Sequence, residues 1–272
     1  MFRSGDIFTS CTECENGGLG DPRQTKNLQE YRNLLTEEHN IADKAFNEIG
    51  VEVVSGYYPM NADVAKLVMD KKTADLLGGV IVLDHYVKDP DMLANDIKTI
   101  SASTDAKIIL GEFGAPISDI HGEMTEKEQA NWIDRVLVKL SGLDSLIGVN
   151  YWTSYGGSTA LWNPDGTERK VVGVLKSYFI PKFVDGKVIN ELEMPVKDAD
   201  VLIGTRKIDV NEKGEFNVPV VPSLNNLKIT ALGYNEKYID IENNFSNEIV
   251  LIKSKENIFF KLYKFLRKLR SN

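Results

Sequence analysis

Cysteine and histidine are scarce in this chain: two cysteines and three histidines among 272 residues. Two cysteines exclude a disulfide-rich scaffold, and so few soft ligands give a dedicated metal centre little to work with. No uninterrupted apolar run reaches 18 residues, which excludes a spanning helix of the usual kind. No glycine-rich phosphate loop follows any apolar run, so a dinucleotide or P-loop site has no signature. Positive charge is in deficit. Lys and Arg total 32 against 40 Asp and Glu, a net charge of −8, which argues against a nucleic-acid binder. The opening Met1-Phe-Arg-Ser-Gly-Asp has no apolar stretch or small-residue cleavage site, so no signal peptide is visible.

What is present is an ordinary globular composition, 42% hydrophobic and 26% charged. The length allows one large domain or two smaller ones. Up to about residue 180, short β-prone runs alternate with helical stretches. The runs are Ile7–Ser10, Val51–Ser55, Val80–His85, Lys107–Gly111 and Ile147–Trp152. Between them, apolar residues at three- and four-residue spacing predict helices over Thr25–Ile49, Ala62–Leu77, Met92–Ile100, Thr125–Leu140 and Val171–Tyr178. Thr125-x-x-Glu128 has the form of a capping box. Strict alternation of strand and helix predicts a parallel sheet, either doubly wound or part of a (β/α)8 barrel. Five strands are three short of a closed barrel.

Beyond Pro181 the pattern becomes seven short period-2 runs separated by turn residues such as Lys213-Gly214, which predicts a small antiparallel β-sandwich over 184–253. Asp209-x-Asn211-x-Lys213-Gly214 lacks the ligands of a calcium loop, and a turn with Gly214 at positive φ accounts for it better. The last segment, 256–270, reads as a basic amphipathic helix. From Lys253 onward there are seven basic residues and one acid. Two readings stay open for it: docking on the sandwich, or lying on an anionic membrane surface.

Candidate chemistry gathers at strand C-termini, where barrel enzymes keep their active sites. Glu13, with Glu15 as a competitor, follows the first run, and Glu112 follows the fourth between two glycines. Two carboxyls are what glycoside hydrolysis uses, one donating a proton and one ionised. Aromatics collect at the same ends: Tyr57, Tyr58, Tyr86, Tyr151, Trp152 and, in the next loop, Trp162. Aromatic faces with polar tips suit the C–H face of a sugar ring. Cys11-x-x-Cys14 opens a loop, not a helix, so packing or rim thiols are expected there.

Gly111-Glu-Phe-Gly114, Gly148-Val-Asn-Tyr-Trp-Thr-Ser154 and Ala160-Leu-Trp-Asn-Pro-Asp-Gly166 resemble the last two strands of clan A glycoside hydrolases, the clan of the cellulase-like family 5. Asp84-His85-Tyr86 resembles the sixth-strand segment, and Thr12-Glu13-Cys14 the fourth-strand Asn-Glu-Pro motif. The resemblance covers residues 6–180 and implies strands four to eight of a (β/α)8 barrel, N-terminally truncated and expected to be inactive or poorly folded alone. It implies Glu112 as nucleophile, Glu13 as acid/base, and Trp152, Trp162, His85, Tyr86, Asn16 and Tyr57 as substrate-binding residues, in a retaining mechanism without metal or cofactor. The partner implied is a β-linked oligo- or polysaccharide, and the location extracellular or at the cell surface. Thr12 in place of Asn and Cys14 in place of Pro depart from the motif. Transglycosylation, or carbohydrate binding without turnover, remain alternatives. The later segment, Val196-x-Asp198 through Gly233-Tyr234, resembles the carboxypeptidase-regulatory-like sandwich, which implies a spacer without catalytic residues.

Overall fold

The computed structural model describes residues 2–16, 18–243 and 245–254. The basic segment 256–270 lies outside the described residues. The chain divides into two compact units, Met1–Leu175 and Lys176–Asn272.

In the first unit, β1 (Ile7–Thr12) leads through a single helical turn at Cys14–Asn16 to α1 (Leu28–Glu48). Then follow β2 (Val54–Tyr58), α2 (Ala62–Val68), α3 (Lys71–Leu76), β3 (Val80–Asp84) and α4 (Pro90–Thr104). The unit continues with β4 (Lys107–Phe113), α5 (Ser118–His121), α6 (Glu126–Leu140), β5 (Leu146–Tyr151) and α7 (Lys170–Phe179), which runs across the division. The five strands are parallel and lie in sequential order β1-β2-β3-β4-β5. A doubly wound sheet would reverse direction partway. With right-handed crossovers, sequential order puts the connecting helices on one face, the arrangement of a barrel wall. It is not closed: among the described residues β1 and β5 are unpaired edges.

Local chemistry sets the element ends. Asn27, Asn61, Asp70 and Asp89 cap α1 to α4 by accepting from backbone N–H groups of the first turn. Thr125 and Glu128 form the expected capping box on α6. The single helix expected over Ala62–Leu77 is two, because Met69 leaves the helix in an extended conformation and Asp70 starts another by accepting from the Thr73 N–H at 2.8 Å. The second strand lies three residues later than expected, so Tyr57 and Tyr58 are within it. Its start is set by the ladder to β1, where Ile7 faces Val54. β3 is buried along its whole length, and α4 and α6, which pack on each other, bury Leu93, Ile97 and Ile100 and Ile133, Val136 and Leu137 respectively.

The second unit contains β6 (Lys182–Asn190), β7 (Asp200–Ile203), β8 (Arg206–Asp209), β9 (Glu215–Val220), β10 (Asn226–Thr230), β11 (Lys237–Asp240) and β12 (Glu248–Leu251). They form two sheets, β11-β10-β7-β8 and β12-β6-β9, around a core that includes Val188, Val201, Phe216, Val218, Leu227, Ile229 and Leu251. One pair, β12 with β6, is parallel, so the sandwich is not purely antiparallel. Hydrogen bonding between β6 and its second neighbour β9 begins already at Lys182, two residues before the expected start of the sandwich. The Asn211–Glu215 turn closes on itself: the Asn211 side chain accepts from the N–H groups of Lys213 and Glu215, with Gly214 at φ 74°.

Candidate active site

The two glutamates are separated by most of the first unit in sequence, and the parallel sheet returns both to its C-terminal end. Glu112 is the penultimate residue of β4. Leu83 pairs with Leu110 but Asp84 pairs with Glu112, so β4 carries one extra residue, Gly111, against β3. The same excess appears against β5, where Leu110 faces Val149 and Phe113 faces Tyr151. A bulge at Gly111 therefore re-aims Glu112 to lie beside Asp84. The Gly111 carbonyl accepts from the Asn150 side-chain amide at 3.0 Å. A Cβ on Gly111 would run into the Tyr58 hydroxyl and come within 2.8 Å of Val82, so only glycine leaves room for the Tyr58 ring here.

Glu13 reaches the same place from β1, which also gains a residue on its neighbour: Thr9 faces Gly56 and Thr12 faces Tyr58. Glu13 then adopts a left-handed conformation at φ 48°, an unusual state for a residue with a side chain. Its N–H donates to the Tyr58 carbonyl at 2.9 Å, and its carboxyl accepts from Asn16 Nδ2 at 2.8 Å.

Between the two glutamates stands Asp84, 3% exposed. The Tyr58 hydroxyl donates to its Oδ1 at 2.6 Å, and the Glu13 carboxyl is within hydrogen-bonding range of it. Burial raises Asp84 to about 7. The Tyr58 hydrogen bond works against that rise, while the charges of Glu112 and Glu13 add to it. Tyr86 donates to Glu112 Oε2 at 3.0 Å. Burial, and further the charge of Glu13, raise Glu112, and the Tyr86 hydrogen bond opposes them by favouring the ionised form. The phenols of Tyr58 and Tyr86 are themselves held protonated, mainly by burial. They are donors at every working pH. Trp152 follows β5 at the same sheet end, its N–H donating to the Phe113 carbonyl at 2.9 Å, and it is half exposed.

Two residues expected to bind substrate are elsewhere. His85 is 5% exposed, and its Nε2 lies 2.9 Å from Asp96 on α4, a carboxylate that also pairs with Lys66 of α2 at 2.6 Å. Strand alternation turns it toward the helices while Asp84 and Tyr86 share the other face. Tyr57 is likewise buried, opposite Tyr58 in β2, with its hydroxyl donating to Glu15 Oε1. This contact also fixes Glu15, buried and engaged by Tyr57, apart from the Glu13–Asp84–Glu112 group. Trp162 is partly exposed and bridges to Glu168. Cys14 is buried and disulfide-bonded, which corrects the expected thiol. The left-handed turn at Glu13 folds the chain back within the Cys11-x-x-Cys14 span. Sequence reasoning named Asp84 and Tyr58 but gave neither a role in the site. The signal was spacing, since Asp84 ends β3 and Tyr86 lies two residues further on.

Among the described residues no group of three His, Cys, Asp or Glu side chains is arranged to hold a metal ion. The site is an acid–base site: three carboxyls, two permanent phenol donors, an amide on one carboxyl and an exposed indole at the rim.

No family model matches this chain, and no curated protein matches it. Solved structures similar to it include β-glucuronidase 2 of Bacteroides uniformis, 13% identical with a TM-score of 0.47, over 90% of this chain and 35% of that one. Others are a GH128 exo-β-1,3-glucanase of Aureobasidium namibiae, 10% identical, TM-score 0.45, over 62% of this chain and 66% of that one, and a GH128 oligosaccharide-binding protein of Trichoderma gamsii, 10% identical, TM-score 0.43, over 62% and 77%. The chain spans about a third of the length of the glucuronidase. These structural neighbours are glycoside hydrolases and an oligosaccharide-binding protein.

Proposed function

We propose that the first unit is a glycosidase site of the retaining type, acting on β-linked oligo- or polysaccharide. The observation that carries this reading is the convergence of Glu13 and Glu112 at one end of a sequentially ordered parallel sheet, close enough that the charge of Glu13 acts on Glu112. In this reaction the Glu112 carboxylate attacks the anomeric carbon as the bond to the leaving oxygen breaks. Glu13 supplies the proton that the leaving oxygen takes up. Water then attacks the glycosyl ester, giving its proton to Glu13 and regenerating Glu112. Tyr86 orients the nucleophile, Asn16 the acid/base, and Trp152 offers a face to the sugar ring. The second unit is read as a spacer, and a polymeric substrate favours a location outside the cell.

Two results test this. Fluorogenic aryl β-glycosides should be turned over by the full chain, and Glu112→Ala should reduce turnover by at least about a thousandfold. A 2-deoxy-2-fluoro β-glycoside should add one sugar mass to Glu112, located by peptide mass spectrometry. Labelling at another residue would sink the assignment. The unpaired edges β1 and β5 favour a second reading, saccharide binding without turnover. It predicts oligosaccharide binding by calorimetry with no labelling and no product.

A further inference from the structure

Asp84 has no part in that two-carboxyl scheme, yet it is the most buried acid of the group and sits at its centre. Each element around it contributes one ionisable group: Glu13 after β1, Tyr58 from β2, and Glu112 from β4, with Tyr86 two residues further along its own chain. Tyr58, whose phenol stays protonated, donates to Asp84 Oδ1. The Asp84 oxygen left over is the one able to meet Glu13.

We propose, resting on the glycosidase reading above, that Asp84 is a positioning residue. In its protonated form it links Tyr58 to Glu13 and donates to the Glu13 carboxyl, so turnover is carried by the form in which Asp84 is neutral. The physical reason is the charge that develops. As Glu13 gives its proton to the leaving oxygen it becomes an anion. A neutral Asp84 donates a hydrogen bond to that anion, alongside the one from Asn16 Nδ2. An ionised Asp84 would instead face it with a like charge in a buried site. No proton leaves Asp84 in this scheme. The bonds made and broken remain those at the anomeric carbon, and the proton delivered is Glu13's. Burial of Asp84 and its neighbouring acids supply the pressure that keeps it neutral near pH 7. Gly111 leaves the space that lets Tyr58 reach it.

The test compares pH profiles of kcat and KM for the wild-type chain, Asp84→Asn and Asp84→Ala on one aryl β-glycoside. Wild-type kcat should fall above about pH 7. Asn is neutral at every pH and keeps an N–H donor, so Asp84→Asn should stay within about threefold of wild type on the acid side. Its alkaline fall should move away from the wild-type position, the limb that remains being ionisation of the Glu13 acid. Asp84→Ala should lose about a hundredfold across the whole range, with little change in KM. An Asn variant as slow as the Ala variant, or one whose alkaline limb stays where wild type has it, overturns the inference. A second measurement needs no turnover: carbon-13 NMR titration of the Asp84 carboxyl in wild type and in Glu13→Gln. Its midpoint should lie near 7 and move down when the Glu13 charge is removed. A midpoint indifferent to that change overturns the Asp84–Glu13 link. Absence of turnover in wild type, with the midpoint shift present, defeats the glycosidase reading and the catalytic half of this inference while leaving the link standing.

Discussion

Asn150 donates its side-chain amide to the Gly111 carbonyl at 3.0 Å, at the one point where β4 carries a residue more than either neighbouring strand. A bulge interrupts the regular ladder, and a carbonyl it frees needs a partner. Asn150 is that partner from the edge strand.

Replacing it with alanine is expected to cost about 1 kcal/mol of stability, the usual worth of one hydrogen bond. The loss in kcat should be larger than that in proportion, because the bulge aims Glu112. Chemical denaturation and steady-state kinetics on Asn150→Ala check both. Equal small losses would mean that Tyr86 alone orients the nucleophile.

Gly111→Ala places a methyl group against the Tyr58 hydroxyl and 2.8 Å from Val82. Overpacking of this kind costs about 1–3 kcal/mol. The Tyr58 hydroxyl must also give way, which breaks its bond to Asp84. The double variant Gly111→Ala with Tyr58→Phe removes the hydroxyl that the methyl meets first, so it should recover part of the lost stability in urea unfolding. No recovery would place the strain elsewhere.

Asp84 also makes stability depend on pH. Its folded-state value of about 7 stands above the ordinary carboxylate value near 3.9, so between those limits the folded chain binds more protons than the unfolded one. Stability from this group is then fully present below about pH 4 and is lost as pH rises through about 7. Each pH unit of that window is worth roughly 1.4 kcal/mol at most. Subtracting the unfolding profile of Asp84→Asn from that of wild type isolates the group. The difference should fall steadily from pH 4 to 7 and flatten above it.

Much of the first unit was legible because its signals are local. Amphipathic spacing located α1, α4 and α6, with a capping box marking the start of α6, and continuous apolar runs located β3 and β4. The break between α2 and α3 was not, since Asp70 fits the helical pattern of its neighbours as well as it fits a cap. The shift of β2 was also invisible, because the pairing of Ile7 with Val54 is a tertiary choice. In the second unit the seven strands were readable from their turns, while the parallel β12–β6 pair was not.

At the site, the sequence by itself determined which acids stand at strand ends: Glu13 after β1, Glu112 in Gly111-Glu-Phe-Gly114, and Asp84 at the end of β3 with Tyr86 two residues on. Only the tertiary structure decided which of them meet. Two one-residue bulges shift register against neighbouring strands, and a shift of one residue exchanges the faces of every side chain that follows. That exchange brings Glu112 beside Asp84, and strand alternation sends His85 and Tyr57 toward the helices. Register is a property of two strands held together by their ladder, so no single strand's residues could have specified it.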